Sequence, residues 1–109
     1  MDESKYTQSF QIISEAGDAR SKALEAIDKA AEYQFEEAED LLKSATECMN
    51  KAHQIQTDLI VKEINGQPVD THILMIHSQD HFAMATESID MAKVMIALYK
   101  KINKLEKGE

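Results

Sequence analysis

One proline, Pro68, and three glycines are the only strong punctuation in this chain of 109 residues. Few breaks imply few, long elements, because Gly and Pro are the residues that most often end helices and set turns. The decisive break is "INGQPVD", residues 64–70. There Asn65-Gly66 reads as a helix stop, and Pro68 forbids continuation. On either side the apolar residues recur at helical spacing. Phe10, Ile13, Ala16, Ala19, Ala23, Ile27 and Ala30 mark a first helix over about 3–32. Phe35, Ala38, Leu41/Leu42, Ala45, Met49, Ala52, Ile55, Leu59/Ile60 and Ile64 mark a second over about 35–64. Between them, at "AEYQF", the rhythm is interrupted, and Glu36, Glu37 and Glu39 then supply first-turn acids. Neither Gly nor Pro marks that joint. A third helix, capped by Asp70 or Thr71, runs over about 70–104 and ends in lysines that suit the negative end of the helix dipole.

Three helices in one domain, 1–109, predict an all-α, antiparallel up-down-up bundle. The third helix is unusual. On a wheel of about 100° per residue, Ile73, Ile76, Asp80, Met84, Met91, Val94, Met95, Leu98, Ile102 and Leu105 form one stripe. Leu74, Ala85, Ile89, Ala92, Ile96 and Tyr99 form a second, offset face. One face suffices to pack on the other two helices. The other needs a cover, and the simplest cover is the same helix from further copies of the chain. The alternative is a small bundle that buries a wide arc of one helix.

Composition removes several function classes. A formal net charge of −8 argues against nucleic-acid binding or attachment to an anionic membrane through a basic surface. No apolar run approaches the roughly 20 residues of a membrane span, so no direct membrane insertion is expected. The N-terminal "MDESKYTQSF" lacks the basic and apolar regions of a signal peptide, and a lone Cys48 excludes an internal disulfide framework. A cytoplasmic protein is expected. Cys48 reads as a small core residue, His72 as exposed, and His53 with Gln56 as buried, hydrogen-bonded polar residues.

The chemistry concentrates in "ILMIHSQDHFAMA", residues 73–85. Asp80 falls inside an apolar stripe, where an ionised carboxylate must be protonated, paired or metal-bound. No Lys or Arg lies one turn away on that stripe. Symmetry would bring several Asp80 carboxylates together, and an oxygen-only donor set suits magnesium or calcium. An Asp at the edge of a contact, solvated through water, fits equally. His77 and His81, four residues apart, share one helix face. They can belong to a zinc site, can be hydrogen-bonded structural residues, or can act as nucleophile and partner, with Gln79 assisting at a phosphoryl group. Spacing alone leaves all three open.

Longer stretches carry a resemblance. "HSQDHFAMA" followed by "AKVMIALYKK" resembles the H-A-Q-D-H-L signature of the lactose/cellobiose-type enzyme IIA of the bacterial sugar phosphotransferase system. "IISEAGDARSKALEAI", "FEEAEDLLKSA", "AHQIQTDLI" and "NGQPVD" resemble the same family in order along the chain. The resemblance implies a homotrimer with the third helices at its centre. It implies a phosphotransferase component that works only with partner proteins. Phosphate would pass from the carrier HPr to His77 and on to a cysteine of IIB, serving a β-linked disaccharide imported by the membrane component IIC. It further implies His81 and Gln79 in the pocket, and a divalent metal, magnesium, one per trimer, on the Asp80 carboxylates. Ser78 and Phe82 depart from the signature's Ala and Leu, neither at a position with a chemical role; only a packing adjustment is expected at Ser78. The competing classes are a non-enzymatic trimeric adaptor and a metal-binding bundle using His77, Asp80 and His81.

Overall fold

The computed structural model of the chain describes residues 6–109. It contains three helices, α1 (Thr7–Ala31), α2 (Phe35–Ile64) and α3 (Ile73–Glu106), and no strand among the described residues. The expected start of the first helix near residue 3 lies outside the described residues. The molecule is a rod of 62 × 25 × 19 Å. A helix of 34 residues, the length of α3, spans about 51 Å, so α3 runs most of that length.

The core is a seam of small residues. α1 buries Ile12, Ala16, Ala19, Ala23, Ala26 and Ala30, and α2 buries Ala38, Leu42, Ala45, Met49 and Ala52. Steps of four and three alternate in both, a repeat near 3.5 that keeps one stripe facing its neighbours along the whole bundle. Alanine at these positions lets helix backbones approach closely. Two expected core positions in α1 differ: Phe10 is 59% exposed, and Ile12 rather than the half-buried Ile13 is fully buried. The two isoleucines are adjacent, so periodicity alone cannot choose between them. At the far end of α2, Ile60 and Ile64 of the expected stripe are likewise exposed.

α3 turns its second face inward, burying Ser78, Ala85, Ile89, Ala92 and Ile96. Most of its first stripe, including Ile73, Ile76, Met84, Met91, Val94, Leu98 and Leu105, stays exposed in the single chain. Specific contacts fix the register. Lys29 pairs with Glu37 at 3.4 Å, and Lys22 Nζ donates to Ser44 Oγ at 2.9 Å. Lys100 reaches Glu39 at 3.0 Å, and Ser9 Oγ donates to Met75 Sδ at 3.7 Å.

All three helices end in the same motif. Two backbone N–H groups beyond the end reach back to the carbonyls three and two residues inside the cap. At α2 these are Gln67 to Lys62 and Gly66 to Glu63, and at α3 Glu109 to Lys104 and Gly108 to Leu105. The motif places one residue in the left-handed region, and Gly66 (φ 79°) and Gly108 (φ 74°) meet that demand without a Cβ clash. At α1 the bonds are Gln34 to Lys29 and Tyr33 to Ala30, both 2.9 Å, and the left-handed residue is Tyr33, φ 62°. The joint that sequence left soft is thus a full helix stop with tyrosine in the glycine position. The start of α3 also differs from expectation. Its cap is His72, not Asp70 or Thr71, and His72 Nδ1 accepts from the Met75 N–H at 3.2 Å. His72 is correspondingly half-buried, edge-on to Tyr6 at 4.8 Å, rather than exposed.

Candidate functional site

The residues singled out by sequence all lie on the first three turns of α3, where helical geometry sends them in three directions. His77 is exposed and His81 half-buried, and their Nε2 atoms are 3.0 Å apart with the rings nearly perpendicular at 87°. At that distance one ring donates its Nε2 proton to the lone pair of the other, so a neutral pair holds one ring in each tautomer. The i, i+4 spacing on a regular helix produces this contact without any loop. The donating ring keeps an unprotonated Nδ1, and the accepting ring's Nε2 lone pair becomes available when the donor turns away.

Gln79 points elsewhere. Its Oε1 accepts from Gln56 Nε2 of α2 at 2.5 Å, and its Nε2 donates to Ser78 Oγ at 3.2 Å. Two residues along a helix is about 200° around it, so within one chain Gln79 and His77 lie on opposite flanks. Ser78, fully buried, donates to the Met75 carbonyl at 2.6 Å. The departure from alanine there is absorbed by a hydroxyl that finds its partner inside its own helix. Among the described residues no buried polar side-chain atom is left unpaired.

Asp80 is exposed on the apolar stripe, one turn from Ile76 and Met84, both also exposed. The ion pairs formed among the described residues are Lys29–Glu37 and Lys100–Glu39, so none of them involves Asp80. Nor do three His, Cys, Asp or Glu side chains converge on a possible metal position among the described residues. A closed His77–Asp80–His81 zinc site within one chain is therefore not formed. Asp80 projects about 60° from His77 and about 100° from His81 around the helix, and its carboxylate does not join the ring nitrogens at one point.

The other sequence candidates take structural places. His53 is exposed, not buried, and stacks on Phe82 with centroids 6.1 Å apart. Gln56 is hydrogen-bonded as expected, but half-buried rather than buried. Cys48 is buried, with Lys22 Nζ 3.5 Å from its Sγ. Sequence reasoning gave no role to Tyr33, whose phenol donates to the Glu106 carboxylate. That hydrogen bond, with the nearby negative charge, pushes its pKa above the ordinary 10.0. The cavity of about 460 Å³ near the α2–α3 joint is lined by Gln8, Leu59, Lys62, Pro68, Val69, Asp70 and Met75, none of them a site candidate. His77 and His81 do not line this cavity; His77 lies exposed on the helix surface beside the half-buried His81. Among the described residues no helix is long and apolar enough to cross a membrane.

Comparison with known proteins agrees over nearly the whole chain. The family described as "PTS system, Lactose/Cellobiose specific IIA subunit" matches residues 7–100. The lactose-specific EIIA component of Staphylococcus epidermidis is 45% identical over 92 residues, covering 84% of this chain and 88% of that one. The lichenan-specific phosphotransferase enzyme IIA component of Bacillus subtilis is 45% identical over 93 residues, covering 85% and 84%. The crystal structure of the cellobiose-specific enzyme IIA from Bacillus anthracis superposes with a TM-score of 0.91 at 37% identity, covering 94% of each chain. With the fold, the family match and these relatives in agreement, the chain belongs to the lactose/cellobiose-specific IIA family of the sugar phosphotransferase system.

Proposed function

We propose that this protein is the phosphoryl carrier of its system, a phosphotransferase component that acts only with its partners. His77 accepts the group from phospho-HPr and passes it to a cysteine of the cognate IIB component. IIB then phosphorylates a β-linked disaccharide, such as cellobiose, chitobiose or lactose, as the membrane component IIC imports it. The observation that carries this reading is the exposed His77 ring, 3.0 Å from His81 on an uninterrupted helix. Neutral imidazole is a competent nucleophile near pH 7. Phosphoryl transfer asks little covalent chemistry of a protein beyond in-line positioning and donors for the equatorial oxygens. His81 supplies such a donor one turn away, its Nε2–H free to turn from His77 to a phosphoryl oxygen. Gln79 enters the pocket only if another copy brings it there, because its own chain turns it toward Gln56.

The exposed apolar face of α3 supports assembly as a homotrimer about that helix, and the contacts between helices support the up-down-up course. In such an assembly the Asp80 carboxylates meet on an apolar surface without a basic partner. Their oxygen-only donor set fits a hard divalent cation, magnesium, one per trimer. Such an ion would neutralise the Asp80 charge at the contact. A relay between HPr and IIB places the protein in the cytoplasm, and its acidity favours encounter with a basic carrier surface.

Incubation with phosphoenolpyruvate, enzyme I and HPr tests the relay. The parent is expected to acquire acid-labile phosphate and His77→Gln none. Labelling of His77→Gln at the parental rate would sink the assignment.

A further inference from the structure

We propose that His77 and His81 also form a bidentate chelate for a borderline transition-metal dication, with zinc as the representative, and that an occupied chelate blocks phosphoryl acceptance. The second half rests on the relay reading; the first stands on geometry alone. Two nitrogens each about 2.0–2.1 Å from a tetrahedral zinc ion lie about 3.3–3.4 Å apart. The two Nε2 atoms here lie 3.0 Å apart. A few tenths of an ångström of opening brings them to chelating distance, and the His77 ring is exposed. Both rings belong to one continuous helix, so no loop has to be ordered to bring the ligands together.

The chemistry of the donors selects the metal. Imidazole nitrogen suits zinc, copper and nickel, whereas magnesium prefers oxygen. With only two protein ligands, the remaining positions fall to water, which makes the site reversible and weaker than a closed three-ligand centre. To bind, the ring that donates its Nε2 proton in the free pair shifts to the Nδ1–H tautomer, and both Nε2 lone pairs face the metal. His77 then carries metal on Nε2 and hydrogen on Nδ1. Neither ring nitrogen keeps a lone pair for phosphorus, so the block does not depend on which nitrogen the relay uses. This site is distinct from the Asp80 position in direction around the helix, in donor type and in metal preference.

The test titrates zinc into the metal-free parent, His77→Gln and His81→Ala, read by calorimetry and by histidine ring-nitrogen NMR shifts. Zinc is expected to move the His77 and His81 resonances, and each substitution to weaken binding at least about tenfold, as loss of a direct ligand should exceed loss of an outer-shell one. Magnesium is expected to move neither resonance. Phospho-HPr labelling of the parent is expected to slow in proportion to zinc occupancy and to recover with EDTA. Zinc that binds His81→Ala as tightly as the parent, or magnesium that shifts the same resonances, overturns the chelate. Full zinc occupancy with unchanged labelling overturns the block. A parent that takes no label even without zinc refutes the relay instead, and the titration still decides the chelate.

Discussion

Tyr33 offers a test in which the usual order of two substitutions reverses. In a helix interior glycine is about 1 kcal/mol worse than alanine. Tyr33, however, sits at φ 62°, the left-handed position of the motif that ends α1. A side chain there costs about 1–2 kcal/mol in contact between Cβ and the backbone, which glycine escapes. Against this, glycine loses about 0.4–1 kcal/mol through its more flexible unfolded state. Both substitutions remove the same ring, which stacks on Phe35 at a centroid distance of 6.0 Å and is worth about 0.5–1.5 kcal/mol. Tyr33→Ala keeps the strain and loses the ring, so it is expected to be the less stable of the two. Tyr33→Gly is expected to exceed Tyr33→Ala by about 0.5–1 kcal/mol and to fall near the parent. Urea unfolding at one protein concentration and near-neutral pH measures the difference. Alanine equal to or better than glycine would refute the strained-cap account.

Other consequences are measurable. The raised pKa of Tyr33 means that the Tyr33–Glu106 contact contributes fully below the ordinary tyrosine value of 10.0 and is lost as pH rises through the higher folded value. Phenolate absorbance is expected to show one tyrosine titrating late in the parent and returning toward the ordinary range in Glu106→Gln. Gly17 lies inside α1 without positive φ, and a Cβ there would meet nothing within 4 Å. Gly17→Ala is therefore expected to stabilise the chain by about 0.5–1 kcal/mol in thermal unfolding. A loss of stability would mean that something outside the single chain approaches that backbone. Asp80→Leu removes the charge from the exposed stripe of α3, so sedimentation is expected to find assembly maintained or tightened and insensitive to EDTA. Dissociation into monomers would count against a carboxylate buried between copies.

What could be read from sequence and what could not divide by the range of the interactions. The turn at Asn65-Gly66 and Pro68 was legible, because a glycine in the left-handed region and a proline without an N–H act within a few residues. So was the proximity of His77 and His81, since four residues of helix bring two side chains together in any fold. The stop at Tyr33 was not legible, because tyrosine there gives no local advantage; its Glu106 and Phe35 partners accompany a strained conformation. The cap at His72 was missed for a related reason: Asp70 and Thr71 have the better intrinsic propensity, but their positions lie two and one residues too early for the helix that packs.

By itself, then, the sequence determined three long helices, the turn at Asn65-Gly66 and Pro68, the imidazole pair and the presence of two apolar faces on the third helix. Each follows from periodicity or from contacts within about one turn. Only the tertiary structure decided which face of α3 turns inward, that Ile12 rather than Ile13 enters the core, and that Gln79 reaches across to Gln56 instead of toward His77. Those choices are made by the alanine seams of α1 and α2, which accept Ser78, Ala85 and Ala92 at close approach. Ile89 and Ile96 fill the space beside them, while Ile76, Met84 and Met91 remain outside, and the fit between surfaces distant in sequence is what separates the two faces.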